Sequence, residues 1–391
     1  MIFNHFKQKT EQFFLSLQGD KTLWVIWVLL VSLSLLAVYS SIASLAYQKY
    51  DGDTDRFLLK QLWIAFSGFW LMYGVQRLSY SFFWKWSTLL FLLAILALLL
   101  TLLFGVSINQ ARRWLYIPFI GLSFQASDGA KIAALIILSR QLVQYANVQE
   151  TLLFVQKILL PVFVIALLIL PANFSTAFLL LVNTFLLSWM AGVRFWVLFK
   201  AGLGLSLIGI VSILTIIYIL PHSFKRATTW KNRIENYWNT QKTEENYQIQ
   251  EAKTAVWHGG LMGQGPGKGH MRYTLPHPYS DMIFAFIIEE YGAILGGLGL
   301  ICLYIILFFR SLKIAQNSQT AFGRLLALGL GLSLVMQAFI NMAVSVGLFP
   351  VTGQPLPFLS MGGTALWFHS MMLGILLSIS KGIPSTSRKK Y

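Results

Sequence analysis

Cysteine is almost absent. Cys302 is the only one in 391 residues, so no internal disulfide can form. Acidic residues are scarce too, 14 Asp and Glu against 30 Lys and Arg. All charged residues together make up 11% of the chain, less than half of the ~25% of a soluble domain. These shortages exclude a disulfide scaffold, a disordered polyelectrolyte and a coiled coil. No Gly-X-Y period is present, which excludes collagen. The net charge of +16 would suggest nucleic acid in a soluble protein. Here no RNP-like motif, finger or basic stripe accompanies it, and nucleic acid is not an expected partner.

What is present is apolar. Hydrophobic residues make up 56% of the chain and the mean hydropathy is +0.65. Runs of about 20 apolar residues recur, each long enough to cross a bilayer as a helix. The expected fold is all-α, a polytopic helical membrane protein with about ten transmembrane helices. They are expected near 23–47, 58–76, 83–104, 129–144, 152–170, 174–191, 195–220, 282–309, 322–346 and 363–380. The run 129–144 is short and amphipathic, so it should face the bundle interior. The first run is too long for a cleaved signal peptide. The whole of 1–391 reads as one membrane domain, with a cytoplasmic segment 1–21, a large extracytoplasmic loop 221–280 and a cytoplasmic tail 381–391. Lys and Arg in the short connections fall sixteen to one side and five to the other, which places both termini in the cytoplasm. The first seventeen residues carry Phe3, Phe6, Phe13 and Leu17 on one helical face, as an interfacial helix would.

Four acids sit at or inside the membrane: Asp128, Asp281, Glu289 and Glu290. Ionisable groups there are costly and are functional candidates by default. Asp281 opens a helix. One reading is an N-cap or first-turn acid that serves free N–H groups; the other is a carboxylate that takes a proton from a substrate at the outer surface. Glu289 is expected ~12 Å deeper along the same helix. Asp128 and Lys131 are three apart, which fits an ion pair, or Lys131 and Arg113 form a lipid-facing anion site. Arg112 and Arg113 beside Trp114 also fit an interfacial belt of aromatics and snorkelling arginines. Around Gly259–Gly269 the glycines suggest a flexible loop that closes on a ligand; no nucleotide fingerprint fits. His258, His270 and His277 have no zinc spacing. Finally, Pro350, Pro355 and Pro357 forbid a continuous helix. Broken backbone at membrane depth implies burial or a cavity, with Ser360, Gly362 and Gly363 lining it by their backbone.

At these residues the chain resembles the SEDS family, the shape, elongation, division and sporulation proteins of bacteria. The likeness covers almost the whole chain. Arg112-Arg113-Trp114, Gly121, Ser123-Phe124-Gln125 and Lys131 resemble one family stretch. Gly263-Gln264-Gly265, Leu275-Pro276, Asp281 to Ala285 and Glu289 to Gly292 resemble a second, and Gly347 to Gly363 a third. Departures are Asp128 for a glutamate, Asn173 for an aspartate and Met361 for a tyrosine. The resemblance implies a peptidoglycan glycosyltransferase that polymerises lipid II outside the bacterial cytoplasmic membrane, with a class B penicillin-binding transpeptidase and other division proteins as partners. It points to the division branch, FtsW, ahead of the elongation branch, RodA. It makes Asp281 the essential acid and Trp114 a residue that supports activity, and it puts Gln125, Asp128, Ser360, Gly362 and Gly363 in the substrate site.

Pyrophosphate leaves as a stable anion, so one carboxylate plus cations suffices where hydrolytic glycosidases need two carboxylates. Asp281 is then the general base, with Arg113, Lys131 and Arg226 as candidates for the pyrophosphates. A divalent cation is a possible helper without a dedicated cage. The competing readings are a lipid II flippase or transporter and a non-catalytic scaffold.

Overall fold

The computed structural model describes residues 17–41, 55–108, 111–117, 122–146, 150–205, 207, 244–275, 279–361 and 363–382. Ten helical segments lie where the ten apolar runs fall. They are α1 Lys21–Ser41, α2 Asp55–Arg77, α3 Tyr80–Phe104, α4 Ala126–Gln144, α5 Thr151–Ile169, α6 Phe174–Met190, α7 Phe195–Leu205 and, after the large loop, three more. The expected ends of the first and seventh runs, most of the segment 1–21, residues 221–243 of the loop and most of the tail lie outside the described residues.

Local signals start these helices. The Oδ1 of Asp20 accepts the N–H of Thr22 at 2.8 Å at the head of α1, and Asn173 accepts the N–H of Thr176 at 3.3 Å at the head of α6. Each cap removes one of the orphan donors of a first turn. Position in the bundle follows composition. α3 buries little beyond Phe83, Ser87, Ala94, Leu98 and Thr101, and most of its leucines face outward as lipid would require. α4 is buried on nearly all sides from Ala126 to Leu138, as its amphipathic sequence predicts for an interior helix.

The large loop carries α8, Glu244–Gly259, then a glycine-rich turn and a single helical turn, Met271–Thr274. The apolar run after it is not one span. The stretch Ile283–Gln316 has 34 residues, about 50 Å at 1.5 Å per residue, too long for a core of ~30 Å. It breaks at Gly292, whose φ of 81° and ψ of 168° no helix contains. α9, Ile283–Tyr291, stops there; α10 starts as the π-helical stretch Gly292–Leu298 and continues as Gly299–Gln316. α11 is Ala321–Ser345 and α12 is Thr364–Lys381.

Both ends of α9 lie at one end of the bundle, the distal end, where α1 and α11 finish. The Asp281 carbonyl before α9 accepts from Asn341 Nδ2 (2.9 Å) and Ser345 Oγ (3.1 Å), in the last turns of α11. Glu290 near its other end accepts from Ser40 Oγ at the end of α1. α9 therefore caps the bundle instead of descending through it.

The connection from α3 to α4 forms an antiparallel sheet in the order β1-β2-β3, with β1 Val106–Ile108, β2 Ala111–Ile117 and β3 Leu122–Gln125. Trp114 pairs with Gln125 in its register. Between α11 and α12 the chain is irregular from Pro350 to Ser360, as the prolines predict. Its carbonyls are not left bare. Gln354 O accepts from Asn341 Nδ2 (2.8 Å), Pro355 O from Gln337 Nε2 (2.9 Å), Pro357 O from Tyr304 Oη and Leu359 O from Ser34 Oγ (2.7 Å). A buried carbonyl without a partner costs about 1–3 kcal/mol. Side chains from α1, α10 and α11 thus make non-helical backbone tolerable inside the bundle.

Candidate active site

Three segments meet at the distal end. The turn before α9 runs through Tyr279, Ser280 and Asp281. The Tyr279 carbonyl accepts the N–H of Met361 at 3.0 Å, and the Ser280 carbonyl accepts from Ser360 Oγ at 2.8 Å. The Ser360 hydroxyl also accepts the N–H of Leu356 at 2.8 Å. Ser360 is therefore a tie between two loops through its side chain, against the expectation that backbone alone acts there. On the far side of Gly363, Thr364 Oγ1 accepts the N–H of Gln125 at 3.2 Å, which brings the end of β3 and its partner Trp114 to the head of α12.

Asp281 is not an N-cap. α9 begins at Ile283 with Met282 in the cap position, and no acid stands in its first turn. The reason lies in its neighbours: Asn341 and Ser345 hold its backbone carbonyl, and Ser280 Oγ donates to its Oδ1 at 3.0 Å. The carboxylate thus stands clear of the role of satisfying the helix end. Nearby, burial pushes the Tyr279 phenol above its ordinary range, so it stays a neutral hydroxyl at physiological pH.

Lys131 is not lipid-facing. It is buried in the bundle, 3.0 Å from Asp128 Oδ1 and 3.1 Å from Gln337 Oε1. The i,i+3 ion pair expected as the bland alternative is present. The lysine also borders a small cavity lined by Thr176, Asn183, Gln337 and Gln354 together with Leu179, Leu180 and Met336. Sequence reasoning missed Gln337, Gln354 and Asn341. Gln337 and Asn341 look like isolated amides in an apolar run and Gln354 like a loop amide between prolines, and only their hydrogen bonds reveal their use. Arg112 and Arg113 are placed by their backbone in β2. Arg226 and Gly362 lie outside the described residues. Gly363 has φ 49° and open space around its α-carbon, so its conformation, not crowding, asks for glycine.

The glycine-rich turn is not a loose flap. The backbone N–H groups of Gln264 and Gly265 bond the carbonyls of Glu289 and Glu290, both at 2.9 Å. The Glu289 carboxylate accepts from the N–H of His270 (2.8 Å) and Met271 (3.1 Å), and Glu290 from the N–H of Gly267 (2.8 Å). Buried carboxylates that accept backbone bonds hold a loop down. The two glutamates are fasteners. Among the described residues no group of three or more His, Cys, Asp and Glu side chains is placed to hold a metal ion.

The chain is similar to known proteins along its length. The family model for cell cycle proteins of the FtsW, RodA and SpoVE type matches residues 20–383. A protein of Trichlorobacter lovleyi named probable peptidoglycan glycosyltransferase FtsW is 31% identical over 374 residues, 93% of each chain. Stage V sporulation protein E of Bacillus subtilis is 31% identical, covering 93% of this chain and 97% of that one. Among solved structures, a chain of a peptidoglycan synthase complex aligns with a TM-score of 0.72 at 22% identity, over 95% of this chain and 99% of that one. The rod shape determining protein RodA of Thermus thermophilus aligns with a TM-score of 0.66 at 22% identity, over 93% and 96%. These likenesses share the polytopic helical fold, and the match across nearly the whole sequence settles membership: the chain belongs to the FtsW, RodA and SpoVE family of cell cycle proteins.

Proposed function

We propose that this protein is a peptidoglycan glycosyltransferase that polymerises lipid II during cell division. The relatives named as such glycosyltransferases support the activity and the branch. One observation carries the chemistry: Asp281 sits on a turn whose backbone is anchored by Asn341 and Ser345 of α11 and by Ser360 of the irregular stretch, so its carboxylate is positioned from two sides without being spent on a helix cap. In the reaction Asp281 takes the proton of the acceptor sugar hydroxyl. That oxygen forms the new bond to the anomeric carbon of the donor as the bond from this carbon to the lipid pyrophosphate breaks. The pyrophosphate departs as an anion, with Arg113 and Arg226 as candidates to meet it and Lys131 as a third through the cavity it borders. Trp114, Gln125, Asp128, Gly362 and Gly363 belong to the same substrate site in this reading.

The distal end is then extracytoplasmic and both termini are cytoplasmic, which the distribution of Lys and Arg supports; the membrane is the bacterial cytoplasmic one. The partner is a class B penicillin-binding transpeptidase. The solved complex described as coordinating polymerization and crosslinking supports such a pairing. The test is glycan formation from lipid II by the purified protein with its transpeptidase. Asp281→Asn should abolish product while leaving the folded fraction unchanged. Undiminished product removes Asp281 from the mechanism. Lost transbilayer movement of lipid II, with no polymer from the native protein either, supports a flippase instead.

A further inference from the structure

From Ala252 to Ser280 the chain contains no acid at all, yet it carries Lys253, Lys268 and Arg272 and the histidines His258, His270 and His277. Topological rules give no reason for this excess, since long loops cross the membrane regardless of charge. The fold gathers part of it. His258, Gln264, Lys268, His270 and Glu289 line one open recess of about 340 Å³ beside α9.

The backbone fixes the lining. Gln264 Nε2 donates to the His258 carbonyl at 2.8 Å, which ties the turn to the end of α8. The N–H of Lys268 bonds the Gly265 carbonyl at 3.1 Å across the turn Gly265-Pro266-Gly267-Lys268. The His270 N–H is held by Glu289. Glu289 supplies the one negative charge, and both of its oxygens already accept backbone bonds. Lys268 makes no ion pair with any described residue. An exposed primary amine on a backbone held by the turn, lining one recess with two imidazoles, an amide and a carboxylate whose oxygens are engaged, is suited to an oxyanion.

We propose that this recess is an anion subsite, apart from Asp281, that receives a carboxylate or phosphate group. Resting on the reading above, its occupant is a carboxylate of the peptide carried by the lipid-linked substrate. An anionic lipid headgroup has the same chemistry and is the other source to be told apart.

The test uses the full-length protein with its transpeptidase in vesicles of phosphatidylcholine, with or without phosphatidylglycerol. Lys268→Met should raise KM for lipid II with free peptide carboxylates about five- to tenfold, the effect of one charge-assisted bond, with kcat little changed. Lys268→Arg should restore most of it. Lipid II with amidated carboxylates should not respond to Lys268→Met. A response that is equal for both substrates and present only with phosphatidylglycerol assigns the recess to the headgroup and overturns the peptide assignment. No change of KM in any arm overturns the subsite. Should the native protein form no polymer, the fault lies with the proposed activity, and the recess is read alone. In histidine-labelled protein, inorganic pyrophosphate should shift the imidazole signals of His258 and His270 among the six histidines, and Lys268→Met should remove the shift. Unshifted signals in the native protein overturn the site.

Discussion

Asp281 separates two jobs that a carboxylate at a helix start usually combines. Its backbone carbonyl is held by α11 and its side chain caps no helix, so an isosteric amide should fold normally. Asp281→Asn should lower polymerisation by about 10²–10⁴-fold, the range for losing a general base, with unchanged thermal unfolding. Lys131 is the opposite case. Removing its amine leaves Asp128 charged and buried, which costs about 3–5 kcal/mol. Lys131→Met should lower stability sharply, and adding Asp128→Asn should recover most of it. If polymerisation recovers along with stability, the pair is structural; if stability returns and activity does not, Lys131 serves the substrate. Individual acids were legible in the sequence because there are so few of them and each must be justified inside a membrane. Gln337, Asn341 and Gln354 were not. A buried amide announces no partner, and theirs are the Pro355 carbonyl for Gln337, the Asp281 and Gln354 carbonyls for Asn341 and the Thr176 hydroxyl for Gln354.

At the scale of elements, hydropathy located the spans and prolines located the irregular segment, because both act locally. It did not find the sheet of β1 to β3, whose short strands alternate too briefly to show a period. Nor did it find the break in the run after Asp281: apart from Glu289 and Glu290 the sequence there is apolar, and the interruption is a matter of one glycine's dihedral angles. The glycine-rich turn is where that geometry can be tested. Gly263 has φ 83°, and a β-carbon there would lie 2.4 Å from the Glu290 carbonyl oxygen and 2.5 Å from the Gly292 nitrogen. Both atoms are backbone and cannot step aside. Gly263→Ala should therefore destabilise the protein by about 1–3 kcal/mol from crowding alone, with the left-handed backbone adding to it. Gly363→Ala meets no atom within 4 Å, and its cost should be limited to about 1 kcal/mol of backbone strain. Parallel melting curves of the two variants check the ranking; an equal loss would mean that open space at Gly363 is not open in solution.

Across the whole molecule, the end opposite α9 has its own fastening. Asp20 caps α1 by its Oδ1, receives the Arg310 guanidinium from the end of α10 and takes Ser380 Oγ on its N–H at 3.0 Å near the end of α12. Three helices from the two ends of the chain converge on one residue. Asp20→Asn keeps the cap and loses the ion pair, which is partly exposed and worth about 0.5–1 kcal/mol. Asp20→Ala loses the cap as well, about 1 kcal/mol more. Thermal unfolding of both in detergent measures the two contributions, and identical melting points would dismiss the cap.

The irregular stretch from Pro350 to Ser360 carries a consequence for biogenesis. Every described side chain that donates to its carbonyls at these positions, Ser34, Tyr304, Gln337 and Asn341, precedes it in the chain. During synthesis from the N-terminus the donors are already in the bilayer when this stretch leaves the ribosome. It enters a prepared socket, and its arrival satisfies polar groups that the earlier helices had kept waiting. Nascent chains stalled before residue 350 should thus hold an open, water-admitting centre that a completed chain closes. Alkylation of a cysteine introduced at Gln337, in a Cys302→Ser background, should be rapid in the stalled chain and slow in the full-length one.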